Sequence, residues 1–421
     1  MKKLLVVAIA VCMVFGVVGM ASATDMKVSG NFWVRGIYWD TTELRQDQTT
    51  SQGFWWHKWR IAFTLEPVEG VGVYARADFE DADGHVWGTN AGAQNFNSDY
   101  QYGWFKTAVG QFTIGRMSGG TWALTWADQW RRADRVKYTG VFDNMTVLAI
   151  YEKRTEVDCP RVATNEADAD GDDYYVAGIY KGDWGQAGLL LGYLRRAGAS
   201  AAGWKTGLTI AEPYAKLTFG PLYIEAELDY VTGSTEWEGV GAVADIDRSG
   251  ISYYVNAKYS FGPAYVGGFF GYVEGDDPNT PNDDEMGLTG NDFDLGLILF
   301  SDEDWAMTLT APIALGNNIG ATGVGADDGA MCYGMYAGMA VMEGMTVKAA
   351  LVTGSADEIT GSANDDDFGR EFDLELSYKI NEAVTYAAGF GYLWTGDYWK
   401  GTTTADLEDT YLLQHSLTWT F

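Results

Sequence analysis

From Met26 to its last residue the chain alternates, position by position, between two kinds of side chain. The final stretch shows this most cleanly. Tyr411, Leu413, His415, Leu417, Trp419 and Phe421 are apolar or amphipathic rings, and Leu412, Gln414, Ser416, Thr418 and Thr420 lie between them. A period of two puts the two sets on opposite faces of a strand. About ten residues, tilted, is what a strand needs to cross a bilayer. The same scheme runs through Met26 to Asp40, where Val28, Phe32, Val34 and Tyr38 oppose Lys27, Asn31, Trp33 and Arg35. It returns with Trp59, Ile61, Phe63 and Leu65 against Lys58, Arg60, Ala62 and Thr64. It returns again with Val71, Val73, Ala75, Ala77 and Phe79 against Tyr74, Arg76, Asp78 and Glu80. A soluble sandwich also alternates, but it rarely sets an arginine mid-strand in one strand after another.

Linker lengths alternate too. Short ones fall near 67–70, 109–110, 142–144, 182–184, 219–221, 261–263, 301–304, 342–345 and 380–383. Long ones fall near 40–53, 81–99, 117–133, 155–172, 197–208, 234–248, 275–291, 315–329, 355–368 and 396–409. Gly182-Asp183-Trp184-Gly185, Phe219-Gly220-Pro221 and Phe261-Gly262-Pro263 carry turn chemistry at short links. A chain of this length ordinarily divides into domains. Here one pattern runs throughout with no linker, so the expectation is one closed sheet: an all-β, antiparallel, transmembrane barrel. Short turns would sit on the periplasmic side and long loops on the extracellular side. It would have about 18–20 strands, or sixteen if further hairpins are spurious. Aromatic residues gather where strands meet loops, as at Trp55, Trp56 and Trp59, or Tyr392, Trp394, Tyr398 and Trp399, which suits headgroup-level girdles.

Met1-Lys2-Lys3, an apolar run to Met20 and Ala21-Ser22-Ala23 read as a secretory leader cut after Ala23. The expected division is therefore 1–23 signal peptide and 24–421 barrel. Cys12 lies in the leader; Cys159 and Cys332 remain, too few for a disulfide framework or a cysteine metal site. They are either joined or both unpaired. A net charge of −30 argues against a nucleic-acid binder. His57, His85 and His415 show neither metal spacing nor a triad arrangement, so no enzyme and no cofactor is expected. Asp168 to Asp173 has its glycine at the wrong step for a calcium loop, and Ile179 where the closing Glu belongs.

Trp104 to Arg116 reads strand, tight turn, strand, then Gly115-Arg116. From Trp104 to Arg135 it resembles the general bacterial outer-membrane porins, where such a Gly-Arg precedes a loop folded into the barrel. The terminal Leu417, Trp419 and Phe421 resemble the insertion signal of outer-membrane barrels. The resemblance implies a bacterial outer-membrane location and a water-filled channel narrowed by residues 117–133. It also implies contact with the bilayer and lipopolysaccharide, delivery by the barrel-assembly machinery, and a homotrimer. The loop departs from the family habit of several acidic residues: Asp128 is its one acid, while Trp122, Trp126 and Trp130 recur every fourth residue. That spacing would stack the rings along one side of a helical turn, either pinning the loop to the wall or forming a solute-contacting strip.

More than half of the 28 Lys and Arg residues precede residue 156. Arg35, Arg60 and Arg76 fall on the presumed inner face of the first three strands, with Asp78 and Glu80. Arg116, Arg131, Arg132, Arg135 and Lys137 surround the loop. An arginine facing lipid near mid-membrane costs about 2–4 kcal/mol. These groups are therefore expected to line a pore, where charge selects ions. The leading expectation is a passive diffusion channel for small hydrophilic solutes and ions. A substrate-specific channel for an organic acid or sugar is the second, and a non-conducting adhesin or structural barrel the third.

Overall fold

The computed structural model describes residues 25–421 apart from 42–43, 45, 47–50, 80–83, 90–95, 129–130, 157–169, 199–202, 238–243, 289, 291–292, 302–327, 360–364 and 401–405. Glu80, Trp130, Cys159 and the leader with Ala21 and Ala23 lie outside the described residues.

Eighteen strands form the cylinder. They are β1 (Asp25–Trp39), β2 (Gln52–Val68), β3 (Val71–Phe79), β4 (Phe96–Thr107), β5 (Gly110–Gly119) and β6 (Arg131–Phe142). Next come β7 (Met145–Thr155), β8 (Gly171–Gly182), β9 (Gly185–Gly198), β10 (Trp204–Phe219), β11 (Leu222–Trp237) and β12 (Ile246–Phe261). The last are β13 (Ala264–Val273), β14 (Ala330–Met342), β15 (Met345–Ser355), β16 (Asp367–Lys379), β17 (Val384–Thr395) and β18 (Thr410–Thr420). Each pairs antiparallel with its neighbour in sequence, and β18 returns to β1 from Asn31↔Thr420 to Trp39↔Leu412. Closure leaves no unpaired edge, the condition for placing sheet backbone in lipid. Phe421 completes the seam by exchanging backbone hydrogen bonds with Gly30, at 2.9 and 3.1 Å. Beside it, Trp419 meets Phe32 at 5.4 Å. Two-residue strands at His85–Val86 and Asp283–Asp284 pair with β2 and β12 from the long-loop side.

The connections alternate between tight turns and long excursions, as the linker lengths predict, with one correction. The sequence suggests two strands turning near 301–304. The structure instead pairs β13 directly with β14, Ala264↔Met339 to Val273↔Ala330. No wall strand therefore stands between β13 and β14, and residues 302–304 of the expected turn lie outside the described residues. The stretch Phe293, Leu295, Leu297, Ile298, Leu299 and Phe300 is buried inside the cylinder. Four successive apolar residues, Leu297 to Phe300, explain the difference: such a segment has no wet face to offer the lumen.

Alternation decides what faces out. In β9, Leu189 and Leu191 are 43% and 44% exposed while Leu190 between them is 6% exposed. Val73, Ile114, Val136, Val255, Met335, Leu351 and Leu374 share the outer face. Rings belt its two ends: Phe105 on Phe112 (5.3 Å) and Tyr180 on Trp184 (6.2 Å) near the turns, Trp59 on Phe79 (4.5 Å) and Tyr392 on Trp394 (4.9 Å) near the loops. Met331, Met335 and Met339 lie on this lipid-facing surface with Tyr333. A Met335→Arg substitution is expected to lower stability by about 2–4 kcal/mol. Urea unfolding in lipid vesicles is the measurement; an unchanged midpoint would mean that this face does not meet hydrocarbon.

Candidate functional site: the barrel lumen

The inner wall from β2 to β9 is built of guanidinium groups clamped on buried carboxylates. Asp78 takes two hydrogen bonds from Arg60, at 2.7 and 3.0 Å, and a further ion pair from Lys58 at 3.4 Å. Asp99 holds Arg76 (2.5 Å) and Arg132 (2.7 Å) and lies 3.5 Å from Arg60. Glu152 accepts from Arg131 and from Arg135 (2.5 Å), with Arg154 at 3.5 Å. Asp173 accepts from Arg196, and the Arg154 Nε stands 3.8 Å away. These four carboxylates are fully buried and each serves at least two cations, so the wall keeps a positive surplus. Sharing anions lets guanidinium groups crowd without paying full mutual repulsion.

Two segments fold into the cylinder. The first is the loop after β5. Its Trp122 amide and the Asp128 carboxylate bond within the loop; its Leu124 amide donates to Glu227 Oε2 at 3.0 Å, and the Trp122 indole to the Glu212 carbonyl at 2.9 Å. The helical stacking expected of the tryptophans is not formed between Trp122 and Trp126. Trp122 meets Tyr214 edge-on at 5.4 Å, and Trp126 stacks on Tyr254 at 5.3 Å and meets Phe293 at 5.2 Å. The loop follows an irregular path, with Ala123 at φ 58°, so a spacing of four sends the rings to different walls.

The second is 293–300. The fully buried Glu371 of β16 accepts the amides of Leu297, Ile298 and Leu299 at 2.8, 2.7 and 2.6 Å. Three converging amides form a nest for a carboxylate. Missing side chains make the seat. A Cβ at Gly354 would come within 2.6 Å of the Phe300 ring, one at Gly271 within 2.6 Å of Trp126, and one at Gly391 within 3.2 Å of Leu297. The result is a dry filling against β13 to β18 and β1, with Trp39, Trp56, Cys332, Phe368, Leu393 and Leu412 in the same cluster.

Among the described residues, a cavity of about 760 Å³ lies between that filling and the β6–β12 wall. Arg131, Arg135, Lys137, Arg154, Arg196 and Arg248 line it. So do Leu148, Ile150, Leu190, Leu194, Leu208 and Ile210 of β7, β9 and β10, with both inward tryptophans. Leucine and isoleucine inside a barrel contradict a uniformly polar lumen.

Of the residues singled out from sequence, Arg60, Arg76, Asp78, Arg131, Arg132 and Arg135 meet in the ion-pair lattice, and Lys137 faces the cavity. Arg35 faces inward with its guanidinium 4.3 Å from the Trp33 ring. Asp128 ties its loop to itself and to backbone. Arg116 is a correction. It pairs with Asp134 at 2.9 Å on the outer face, both half exposed, in line with Ile114 and Val136. The cause is parity: Gly115 turns inward, so the next residue turns out. Gly115 itself is constrained, at φ 129°, where a side chain would strike the Gln101 carbonyl. Sequence reasoning missed Asp99, Glu152, Asp173, Glu227, Glu371, Arg154 and Arg196. Extending the inward parity of β7 through Glu152 and Arg154 finds two of these; the others need the three-dimensional neighbours.

Where the second segment leaves β13, burial, then Asp284 and Glu285, pushes the Asp276 carboxyl up to about 6, against a hydrogen bond from the Glu285 amide. A carboxyl raised above its ordinary value near 4 favours the protonated folded loop. The loop therefore loses stability as pH rises from about 4 through about 6. Amide exchange in 276–286 is expected to be slower at pH 5 than at pH 7.5, compared after correction for intrinsic exchange.

The sequence profile of the Gram-negative porins matches residues 8–296. No curated protein matches the chain. Among solved structures, Pseudomonas aeruginosa OpdL is similar at 12% identity, covering 94% of this chain and 99% of its own, with a TM-score of 0.57. OccK8 (OprE) of the same organism is similar at 14% identity, with 94% and 98% covered and a TM-score of 0.56. OpdK, solved with vanillate, is similar at 12% identity, with 94% and 98% covered and a TM-score of 0.54. At such identities the likeness concerns the fold. The profile match concerns descent, and it spans most of the wall just described: the chain belongs to the Gram-negative porins and is a channel of the outer membrane.

Proposed function

We propose that this channel is selective for small organic anions rather than a general sieve. The observation that carries this reading is the partition of the lumen. One side is filled with buried apolar side chains held by Glu371, and the space left is lined by guanidinium groups and hydrocarbon in neighbouring rows of one wall. A general sieve needs a wide wet bore; this lumen offers a narrow passage with two chemistries. Pore charge sets which ion enters, and an apolar wall favours solutes with an apolar part. That OpdK was solved with vanillate, an aromatic carboxylate, is consistent with the reading. Export by cleavage after Ala23, insertion through Leu417, Trp419 and Phe421, and assembly as a trimer belong to the same proposal.

The test is reversal potential in a KCl gradient across a planar bilayer. Anion preference is expected, reduced by Arg60→Gln with Arg76→Gln. Clear cation preference, indifferent to those substitutions, would refute the reading.

A further inference from the structure

The ion-pair lattice leaves one cation of the cavity unused. Arg60, Arg76, Arg131, Arg132, Arg135, Arg154, Arg196 and Arg248 each stand within 4 Å of a carboxylate. Lys137, one inward step from Arg135 toward the turns, has no hydrogen bond, ion pair or ring contact among the described residues. Its register partners are Thr113 and Ile150, neither of them charged. Following the register around the wall from Ile150 gives Tyr175, Gly192, Ile210 and Val231. The row one inward step nearer the loops runs Arg135, Glu152, Asp173 and is ionic. An ammonium therefore stands at the end of a hydrocarbon row, facing an open cavity.

We propose that Lys137 and this row form a binding station for a monocarboxylate carrying an aryl or branched-alkyl body. The carboxylate meets the ammonium, and the body lies along Ile150 and Ile210 and over Leu190, one inward step nearer the turns, toward the Trp122 indole. Gly192 keeps the row shallow at its middle, since a Cβ there would come within 2.6 Å of Ile210 and 2.9 Å of Tyr175. A half-buried ammonium without a partner is unfavourable, and a bound anion removes that penalty while the body is desolvated against the apolar side chains. The cavity is of the size that holds such a molecule. Neither chloride nor acetate would use both halves of the station.

This rests on the anion-channel reading, and the experiment separates the two. Single-channel KCl currents are recorded with 4-phenylbutyrate or acetate added. Saturable block by 4-phenylbutyrate and none by acetate at equal concentration is expected. Lys137→Met should weaken the block about tenfold or more, a loss of about 1.4 kcal/mol, while Lys137→Arg keeps it within about threefold. Should Lys137→Met not fold, Leu190→Thr must weaken phenylbutyrate block and leave the KCl reversal potential in place. Anion preference without saturable block, or block indifferent to Lys137→Met, overturns the station alone. Cation preference in the wild-type protein overturns the station and the channel reading together.

Discussion

Replacing Glu371 with alanine is expected to loosen the filling of the lumen and add brief openings of larger amplitude to single-channel records. The carboxylate is completely buried and takes three amide hydrogen bonds, so its loss strands three backbone donors in a dry place. Each stranded donor costs about 1–3 kcal/mol. Relief from burying a charge offsets part of that, and a net loss of about 3–5 kcal/mol is expected. Phe293, Leu295, Ile298 and Phe300 still favour the seated state, each by about 1.5–3 kcal/mol at most. The segment should therefore flicker rather than leave. Glu371→Gln retains a carbonyl acceptor and should fall between wild type and alanine. Identical conductance and unfolding midpoints for all three proteins would remove Glu371 from any part in holding the segment.

The second large effect belongs to Glu152. Alanine there takes the shared anion from Arg131, Arg135 and Arg154 at once. Breaking a buried ion pair from one side costs about 3–5 kcal/mol. The released guanidinium groups also raise the positive potential of the cavity they line. Lower stability in urea should therefore accompany a shift of reversal potential toward chloride. Adding Arg135→Gln should recover part of both, because it removes one orphaned charge. A shift toward potassium would show that Glu152 does not set the charge of the passage.

Much of the wall is legible in sequence because a barrel strand has two solvents. Leu374 and Val255 against Asp373 and Tyr254 can be assigned to faces by counting. The tight turns, such as Gly220-Pro221 and Gly262-Pro263, announce themselves by residue type. The filling is not legible in that way. Phe293, Leu295, Leu297 and Leu299 alternate with Asp294 and Gly296 as a wall strand does, and only the break of parity at Ile298 and Phe300 hints otherwise. Glu371, two residues before Asp373 on one face of β16, looks like any lumen acid until Leu297 to Leu299, more than seventy positions earlier, arrive beside it. At Arg116 the cost of an arginine facing lipid argued for the pore, while the parity of β5, with Ile114 outside, turns the side chain out to pair with Asp134. Trp122 and Trp126 show the reverse limit, because regular spacing carries no geometry where the backbone is irregular.

The seat of the second inserted segment draws on strands from both ends of the chain. Glycines of β15 and β17 receive Leu297 and Phe300, while Trp39 of β1 and Leu412 of β18 complete the surrounding cluster. No such hollow exists until the first strand has found the last. Seating of the segment therefore cannot be complete before the rims are joined, and whatever discrimination the passage has arrives no earlier than closure of the tube.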